Sequence, residues 1–445
     1  MNRPILQRAR TEAETALIER FDQGDRRLVG ACDLRADAMR HFAESGLPNR
    51  RVESWHYTDL RGAMRTAALV RAPETATLPI ARDCLKKPVA QTDAYRFVIF
   101  NGVYSEDLSS DGPLPDGVTA TALSAALAAG DPVVLDALKD AGPGEGDAVV
   151  ALNTALMQDG VVIRVAPGVK VERPLAILNL MCGGFAQAAF LRSILIVGAG
   201  ASVALDETSA VCAPDATQAN EGLTVIVGDG ARVDYAAQVA EQGANAVALH
   251  SLFVFMGANA TFNGFCLVPV AGLVRRQIFA RLDGEHSTLS LGGLSLLRGK
   301  EHADTTLVVD HAVPNCVSRE FFRHILDHDS TGVFQGKVVV RQHAQKTDGG
   351  MKSQALVLGE GASMNNKPEL EIFADDVVCG HGATVGQLDH NQIFYLQARG
   401  LSRGEAEALL LEAFANEALD LVADEAARAR YAAQTADWLA HRSRR

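Results

Sequence analysis

A repeat of about thirty residues runs through the middle of the chain and constrains the fold more than any other feature. Short apolar runs such as VVIRV, SILIV, LTVIV and KVVVR alternate with turns of related sequence, among them VAPGVKV, VGAGASV, VGDGARV and MGANATF. Aligned on Gly168, Gly200, Gly230, Asn259 and His286, the turns recur at steps of 32, 30, 29 and 27 residues. Such a period is typical of a solenoid, in which each repeat buries its apolar face against the next.

The apolar runs within these repeats have the character of β-strands. They are short, rich in β-branched residues and bounded by Gly, and no helix-length segment interrupts most repeats. A mainly β fold built on a parallel β-helix therefore fits better than a helical or leucine-rich solenoid. We expect the aligned Gly or Asn at each corner to supply the positive φ that the turn requires.

The texture of the sequence divides the chain into three regions. Residues 1–150 are predicted to be mainly helical with some strand, residues 151–392 to form the β-helix, and residues 393–445 to be helical. A β-solenoid has open ends, and helical regions on both sides would cover those edges.

The C-terminal region carries clear helix signals. Ser402 and Glu405 have capping-box spacing. Leu409, Leu410 and Phe414 belong to an apolar stripe with helical period, which predicts a face that packs or docks.

Composition narrows the class of function. The 445 residues carry a formal net charge of -12, which argues against a nucleic-acid binder. No signal core and no run of eighteen apolar residues is seen, so neither secretion nor a membrane span is predicted. The seven cysteines include no CxxC pair, so we expect neither a disulfide framework nor a closed metal site made by this chain alone. These features predict a cytoplasmic protein.

The segment from 368 to 402 is the richest in candidate chemistry. One residue, Gly380, separates Cys379 from His381, so in a strand their side chains share a face. A thiolate and an imidazole there, near Glu371, Asp375 and Asp376, could hold a soft metal or the edge of a cluster. The alternative is a buried Cys and a His bonded to a backbone carbonyl. Two ligands do not complete a tetrahedral site, so any metal would need ligands from elsewhere.

Other motifs carry weaker signals. His302, His311, His324 and His328 form a loose group. The last two could share a helix face as a metal pair, or the group consists of solvated or capping histidines near a surface turn. The SWHYTDLR segment is either a docking motif or an aromatic anchor that packs the helical region onto the solenoid. No hydrolase triad or Walker A sequence is visible, so we predict no catalytic site and no nucleotide bound by this chain.

Several motifs, in order, resemble one known family. SWHYTDL is similar to the W-K-Y-T-x-L signature near the N-terminus of one branch of the SufB/SufD superfamily. VFQGKVVVRQHAQKTD and PELEIFADDVVCGHGATVGQLDHNQIFYLQARGLS resemble the core signature of that superfamily, strongly over about 330–415. The short chain with few cysteines looks more like the SufD branch than the SufB branch. His56, where the family has Lys, is a departure.

The resemblance implies a right-handed parallel β-helix and a non-catalytic scaffold subunit of the SUF iron–sulfur cluster assembly complex. It implies pairing with SufB through the β-helices and docking of the ATPase SufC on the C-terminal helical region, with Leu409, Leu410 and Phe414 as candidate contacts. His381 matches a probable ligand of a nascent iron–sulfur cluster shared with SufB, and Cys379 matches its companion. Downstream carriers would receive the cluster, and the isolated chain could homodimerise.

Two alternatives stay open at this point. The chain could be a SufB-type scaffold or a homodimeric SufB/SufD-like protein, which would form clusters without a partner. It could also be a β-helix enzyme acting on polysaccharide, since fold alone does not fix function. The low aromatic content of 6% and the lack of a well-placed carboxylate pair weigh against that enzyme.

Overall fold

The structure of the chain is a computed structural model. It describes residues 9–23, 28, 30–70, 77–86, 93–109, 112–183, 186–211, 217–240, 243, 246–269 and 272–442. Two ten-stranded sheets dominate these residues and face each other across an apolar interior. The predicted mainly β fold and β-helix are therefore confirmed.

Successive strands of the solenoid alternate between the two sheets, so each strand pairs in parallel with the second next along the chain. Sheet A contains β1, β4 and the odd-numbered strands from β5 to β19, and sheet B contains β2, β3 and the even-numbered strands from β6 to β20. The strands are β1 (Leu69–Val70), β2 (Tyr95–Phe100), β3 (Val103–Ser105), β4 (Val118–Ala122), β5 (Val161–Val165), β6 (Leu175–Met181), β7 (Gln187–Val197), β8 (Ser202–Val211), β9 (Thr217–Val227), β10 (Arg232–Ala240), β11 (Val247–Met256), β12 (Thr261–Val268), β13 (Leu273–Leu282), β14 (Thr288–Leu297), β15 (His302–His311), β16 (Val317–Leu326), β17 (Thr331–Val340), β18 (Asp348–Val357), β19 (Ser363–Ile372) and β20 (Val378–Gly386).

The corners of the solenoid have the backbone conformation that the repeat predicts. The values of φ are 74° at Gly168, 67° at Gly200, 65° at Gly230, 53° at Asn259 and 62° at His286. The series continues beyond the residues aligned from sequence, with φ of 62° at Asn315 and 63° at Lys346. Gly and Asn suit these positions because they enter the left-handed region at little cost, whereas His and Lys are held there by the repeat around them.

Helices of the N-terminal region pack on the outer face of sheet A, except the one at Leu78–Cys84, which packs against β2, β6 and β8 of sheet B. They are α1 (Glu12–Gln23), α2 (Cys32–Ser45), α3 (Leu60–Ala63), α4 (Leu78–Cys84), α5 (Leu123–Ala128), α6 (Pro132–Lys139) and α7 (Ala148–Leu156). Phe42 and Trp55 are fully buried in a cluster that also contains Phe190 and Leu249 of sheet A. The same region contributes β1 to β4 to the sheets, so it is not purely helical.

The SWHYTDLR segment is fixed to sheet A by its aromatic ring. The indole Nε1 of Trp55 donates to Asp147 Oδ2 at 3.0 Å, and the guanidinium of Arg275 lies 3.8 Å from the ring centroid. Arg275 also donates to the carbonyl of Ser54 at 2.7 Å. These contacts are those of an aromatic anchor, so the packing supports that alternative for the segment.

Of the three C-terminal helices, the last two pack on the outer face of sheet B and the first contacts the second. They are α8 (His390–Ala398), α9 (Arg403–Leu419) and α10 (Glu425–His441). The predicted capping box at Ser402 and Glu405 is present at the start of α9. Leu411 and Ala415 are the buried face of that helix, next to strand residues of sheet B. The predicted stripe is therefore rotated, and Leu409 is left 46% exposed.

Most of the cysteines in the described part of the chain are free thiols. Cys32, Cys182, Cys266, Cys316 and Cys379 are free. Cys84 is disulfide-bonded, which the spacing of the cysteines did not predict, and Cys212 lies outside the described residues. None of the described helices combines the length and apolar character that a membrane span needs.

Candidate functional site

The C-terminal end of the solenoid is open. In the described chain, β19 and β20 are the last strands of sheets A and B and have a neighbour on one side only. Large apolar side chains are exposed along and beside them, with Phe373 at 63%, Val378 at 73% and Val385 at 53%. Phe394 and Tyr395 of the adjoining α8 are exposed at 73% and 58%. We call these two strands and the exposed residues of α8 the open end.

Cys379 and His381 both lie on β20 and face the interior of the solenoid. The register pairs Cys379 with Gly349 and His381 with Met351 of β18. Met351 is buried in the core between the sheets, and neighbours in register share a face. The two side chains are thus aimed at the mouth of the solenoid, with Cα atoms about 7 Å apart along the strand. The predicted common face is observed.

The thiol of Cys379 occupies space that a glycine leaves free. A Cβ atom on Gly349 would lie 3.4 Å from Cys379 Sγ, close to Ser318 and Val338. Burial raises the pKa of the Cys379 thiol, and the nearby charges of Asp348 and Glu320 raise it further. The free protein therefore holds a protonated thiol here, which a metal ion would deprotonate on binding.

His381 is exposed at the mouth. Its ring makes no hydrogen bond or ion pair with any residue in the described part of the chain, so the alternative of a His bonded to a backbone carbonyl finds no such bond here. An imidazole in this state is ready to act as a ligand.

Two of the three acidic residues of the same segment form ion pairs with lysines. Glu371 Oε1 lies 2.6 Å from Lys337 Nζ, and Asp376 forms an ion pair with Lys346. Asp375 is exposed. The structure therefore brings neither Glu371 nor Asp376 together with Cys379 and His381.

Sequence reasoning missed a carboxylate beneath the site. Glu320 of β16 pairs in register with Met351, which pairs with His381, so the three lie in one inward-facing column. Glu320 is 1% exposed, and neither of its carboxylate oxygens has a hydrogen-bond partner among the described residues. Burial raises its pKa to about 8. The signal that could have found it is the repeat itself, because Glu320, Met351 and His381 follow one another at close to one period.

The loose group of histidines does not form a metal site. His302 Nε2 lies 2.9 Å from Thr58 Oγ1, and His311 Nε2 lies 3.0 Å from Ser318 Oγ. Burial lowers the pKa of His311 to about 4 and that of His324 to about 3, so both are neutral. His324 lies in β16 and His328 in the turn after it, so the predicted shared helix face is wrong. The description of this group as solvated is also wrong for the two buried rings.

The three candidate docking residues on α9 differ in what they contact. Leu409 is exposed, whereas Leu410 and Phe414 are partly buried. The ring of Phe414 lies 4.1 Å from the guanidinium of Arg323 and packs on the cluster beneath α9. Leu409 is thus the one of the three whose surface is mainly free.

Family models match most of the chain. The SufBD core domain of the SUF system of FeS cluster assembly matches residues 181–414, and the SufBD protein N-terminal region matches residues 23–177. The chain belongs to the SufB/SufD family. The polysaccharide enzyme considered from the fold alone is thereby disfavoured, because this is a family of iron–sulfur cluster assembly proteins.

Known relatives place the chain near SufD. The iron–sulfur cluster assembly protein SufD of Escherichia coli is 30% identical over 392 residues, covering 87% of this chain and 88% of that protein. A SufBD family protein of Synechocystis is 27% identical over 84% of each chain. The chloroplastic protein ABCI7 of Arabidopsis thaliana is 39% identical over 115 residues, 26% of this chain and 24% of that protein. The chain is a SufD homologue within the SufB/SufD family.

Proposed function

We propose that this SufD homologue is a non-catalytic scaffold subunit that pairs with a SufB-like paralogue at the open end to assemble iron–sulfur clusters. The observation that carries the proposal is the open end itself, where an inward-facing Cys379 and an unpaired His381 lie on an exposed edge strand. A neighbouring β-helix can add a strand to such an edge through main-chain hydrogen bonds. The exposed Phe373, Val378 and Val385 would be buried at the same time.

The nascent cluster would be cargo held between the two subunits. His381 would supply an imidazole nitrogen and Cys379 a thiolate from this chain, and the partner would supply the remaining ligands. Two ligands from one subunit and the rest from another account for the incomplete donor set. The raised pKa of Cys379 keeps its thiol protonated and unreactive until a partner and iron arrive.

An ABC-type ATPase of the SufC kind would dock on the C-terminal helices, with exposed Leu409 as a contact and Leu410 and Phe414 at its border. Dimerisation of two such ATPases on ATP would draw the helical regions of both scaffold subunits together. Because α9 packs directly on sheet B, through Leu411 and Ala415, a pull on the helix reaches the strands that lead to Cys379. Downstream carriers would then take the cluster from the opened interface. The ATPase activity would reside in the SufC-like partner, and the complex would work in the cytoplasm.

The test is anaerobic co-purification of the tagged full-length chain from its native cell, with partner identification and assays of iron and sulfide. We expect recovery of a cysteine-richer paralogue and an ABC-type ATPase. The His381→Ala variant should assemble the same complex but hold little iron and sulfide. His343→Ala, at another exposed histidine in the turn between β17 and β18, is the matched control and should behave as the wild type.

Two outcomes would replace the proposal. Cluster formation by this chain alone would favour the SufB-type or homodimeric alternative, in which both edges come from copies of one protein. Full cluster content in His381→Ala would show that the open end does not supply this ligand.

A further inference from the structure

A second group of metal-ligating side chains lies far from the open end, inside the solenoid. Glu207 of β8 in sheet B faces Glu221 of β9 and His250 of β11 in sheet A. Glu221 and His250 are direct neighbours in the register of sheet A. We call these three residues the lumen cluster.

The lumen cluster is compact and buried. One potential ligand atom from each of the three residues lies within 4.8 Å of the others. The exposed fractions are 2% for Glu207, 4% for Glu221 and 4% for His250. His250 Nε2 is already 2.9 Å from Glu207 Oε2.

Two carboxylates at this depth need positive charge, and the described hydrogen bonds supply little of it. Tyr235 donates to Glu207 at 2.5 Å, and Ser209 donates to Glu221. Both are neutral hydroxyls. The charge of Arg276, the direct neighbour of His250 in the register of sheet A, helps to lower the pKa of Glu207, but its hydrogen bond goes to Cys266 Sγ rather than to either carboxylate. Buried carboxylates are strongly destabilised unless a cation compensates them.

Asn179 provides the second, independent observation. Its Nδ2 contacts Glu207 Oε1 at 3.3 Å and Glu221 Oε2 at 3.0 Å, so the amide is aimed into the cluster. Asn179 is 1% exposed, and its Oδ1 has no hydrogen-bond partner in the described chain. The buried Nδ1 of His250 has none there either. Rotation of the amide would direct Oδ1 at the two glutamates, an arrangement that is favourable only with a cation between them.

We propose that Glu207, Glu221 and His250, with Asn179 Oδ1 as a further ligand, form a binding site for one divalent first-row transition-metal ion. Carboxylate and imidazole donors together suit Fe²⁺, Mn²⁺ or Zn²⁺ better than Mg²⁺ or Ca²⁺, which prefer oxygen alone. Ligand bonds of about 2.0–2.2 Å require only a small contraction of the cluster. On binding, the ion displaces the proton between His250 Nε2 and Glu207 Oε2, and that proton is released to solvent. This proposal does not depend on the proposed function of the open end.

The competing explanation is a hydrogen-bonded network that joins the two sheets without a metal. Metal analysis of the full-length chain distinguishes the two. The protein is produced in iron-supplemented and, separately, zinc-supplemented medium, purified without chelators and, for iron, without oxygen. We expect one ion per chain, with X-ray absorption showing one imidazole and otherwise oxygen ligands.

Glu221→Gln keeps the shape of the side chain and removes the negative charge, and it should weaken retention of the ion by about 100-fold or more. Glu320→Gln is the matched control, because it makes the same substitution at another buried glutamate of the interior and should retain the ion as the wild type does. Circular dichroism tests whether both variants fold. If Glu221→Gln does not fold, X-ray absorption of the ion in the wild-type protein decides between the metal site and the hydrogen-bonded network. A wild-type chain without stoichiometric metal from either medium, or an ion bound through sulfur, would overturn the proposal.

Discussion

The two ends of the solenoid treat their exposed backbone differently. At the N-terminal end the sheets finish in the short antiparallel strands β3, of three residues, and β4, of five residues. Helix α5 follows β4 directly and buries Leu123 and Leu127. At the C-terminal end β19 and β20 are ten and nine residues long and carry exposed apolar side chains.

The difference supports the proposal that the open end is the end that binds a partner. A long, apolar edge strand pairs readily with other chains, and proteins usually shorten, cover or charge such edges. This chain shortens and covers its edge strands at the N-terminal end, whereas at the open end β19 carries Lys367, Glu369 and Glu371 and β20 has no Lys, Arg, Asp or Glu. The exposed edge is also the one that carries Cys379 and His381, so the two features point to the same surface.

The largest contrast between interior and open end should appear in stability. Phe262 is fully buried in the interior, whereas Phe373 at the open end is 63% exposed. We expect Phe262→Ala to lower the free energy of unfolding by about 3–5 kcal/mol and Phe373→Ala by less than about 0.5 kcal/mol. Chemical denaturation of the isolated chain measures both. Similar losses would mean that Phe373 is packed in solution, for example against a second copy of the chain.

Glu320 lies in the interior beneath the open end, and its protonation should affect the stability of the fold. Its pKa is raised to about 8 in the folded protein from 4.5, so between these values the folded state binds a proton that the unfolded chain has released. The free energy of unfolding should therefore fall as the pH rises through this range. Glu320→Gln should be the more stable protein at pH 8, by on the order of a few kcal/mol, and no different below pH 4.5. Denaturation at several pH values tests this, and parallel curves for the two proteins would contradict it.

The repeat period accounts for most of what the sequence could predict. The positive-φ corners from Gly168 to His286 could be located from the repeat alone, because a corner recurs wherever the chain changes sheet. The repeat did not show Glu320 or the lumen cluster, since those side chains are far apart in the chain and meet only through the register. Glu221 and His250 are 29 residues apart, one period, and a search for polar residues at that spacing would have found them.

Residues 118–141 show where local helix propensity predicts part of the structure and where strand pairing overrides it. The sequence pattern of residues 119–141 predicts a helix, with a break at Asp131-Pro132. The break is observed, since Asp131 caps α6 and Pro132 begins it, but Val118–Ala122 is a strand. Its pairing with β5 decides this, and helix propensity in an Ala-rich segment carries no information about an available partner strand.

Charge on the open end should disrupt pairing and leave the fold intact. We expect the double variant Val378→Lys with Val385→Lys to bind a SufB-like paralogue at least about 30-fold more weakly, because two exposed apolar contacts are lost and two cations must be desolvated. Thr119→Lys with Thr121→Lys, on the closed-end strand β4, is the matched control and should bind normally. Titration of the purified partners measures both affinities. Equal effects of the two double variants would remove the distinction between the ends.

The smallest expected effect separates docking from packing on α9. Leu409 is 46% exposed, whereas Leu411, two residues on, is 1% exposed against sheet B. We expect Leu409→Asp to weaken capture of a SufC-like ATPase about tenfold, because burial of this apolar side chain in the complex would contribute about 1–1.5 kcal/mol. The variant should unfold at the same denaturant concentration as the wild type. Ala408→Asp introduces the same charge at a neighbouring exposed position and should change capture little. Phe414 is unsuitable for this test, because its contact with Arg323 would mix lost stability with lost docking. Unchanged capture by Leu409→Asp would move the ATPase contact off this face of the helix.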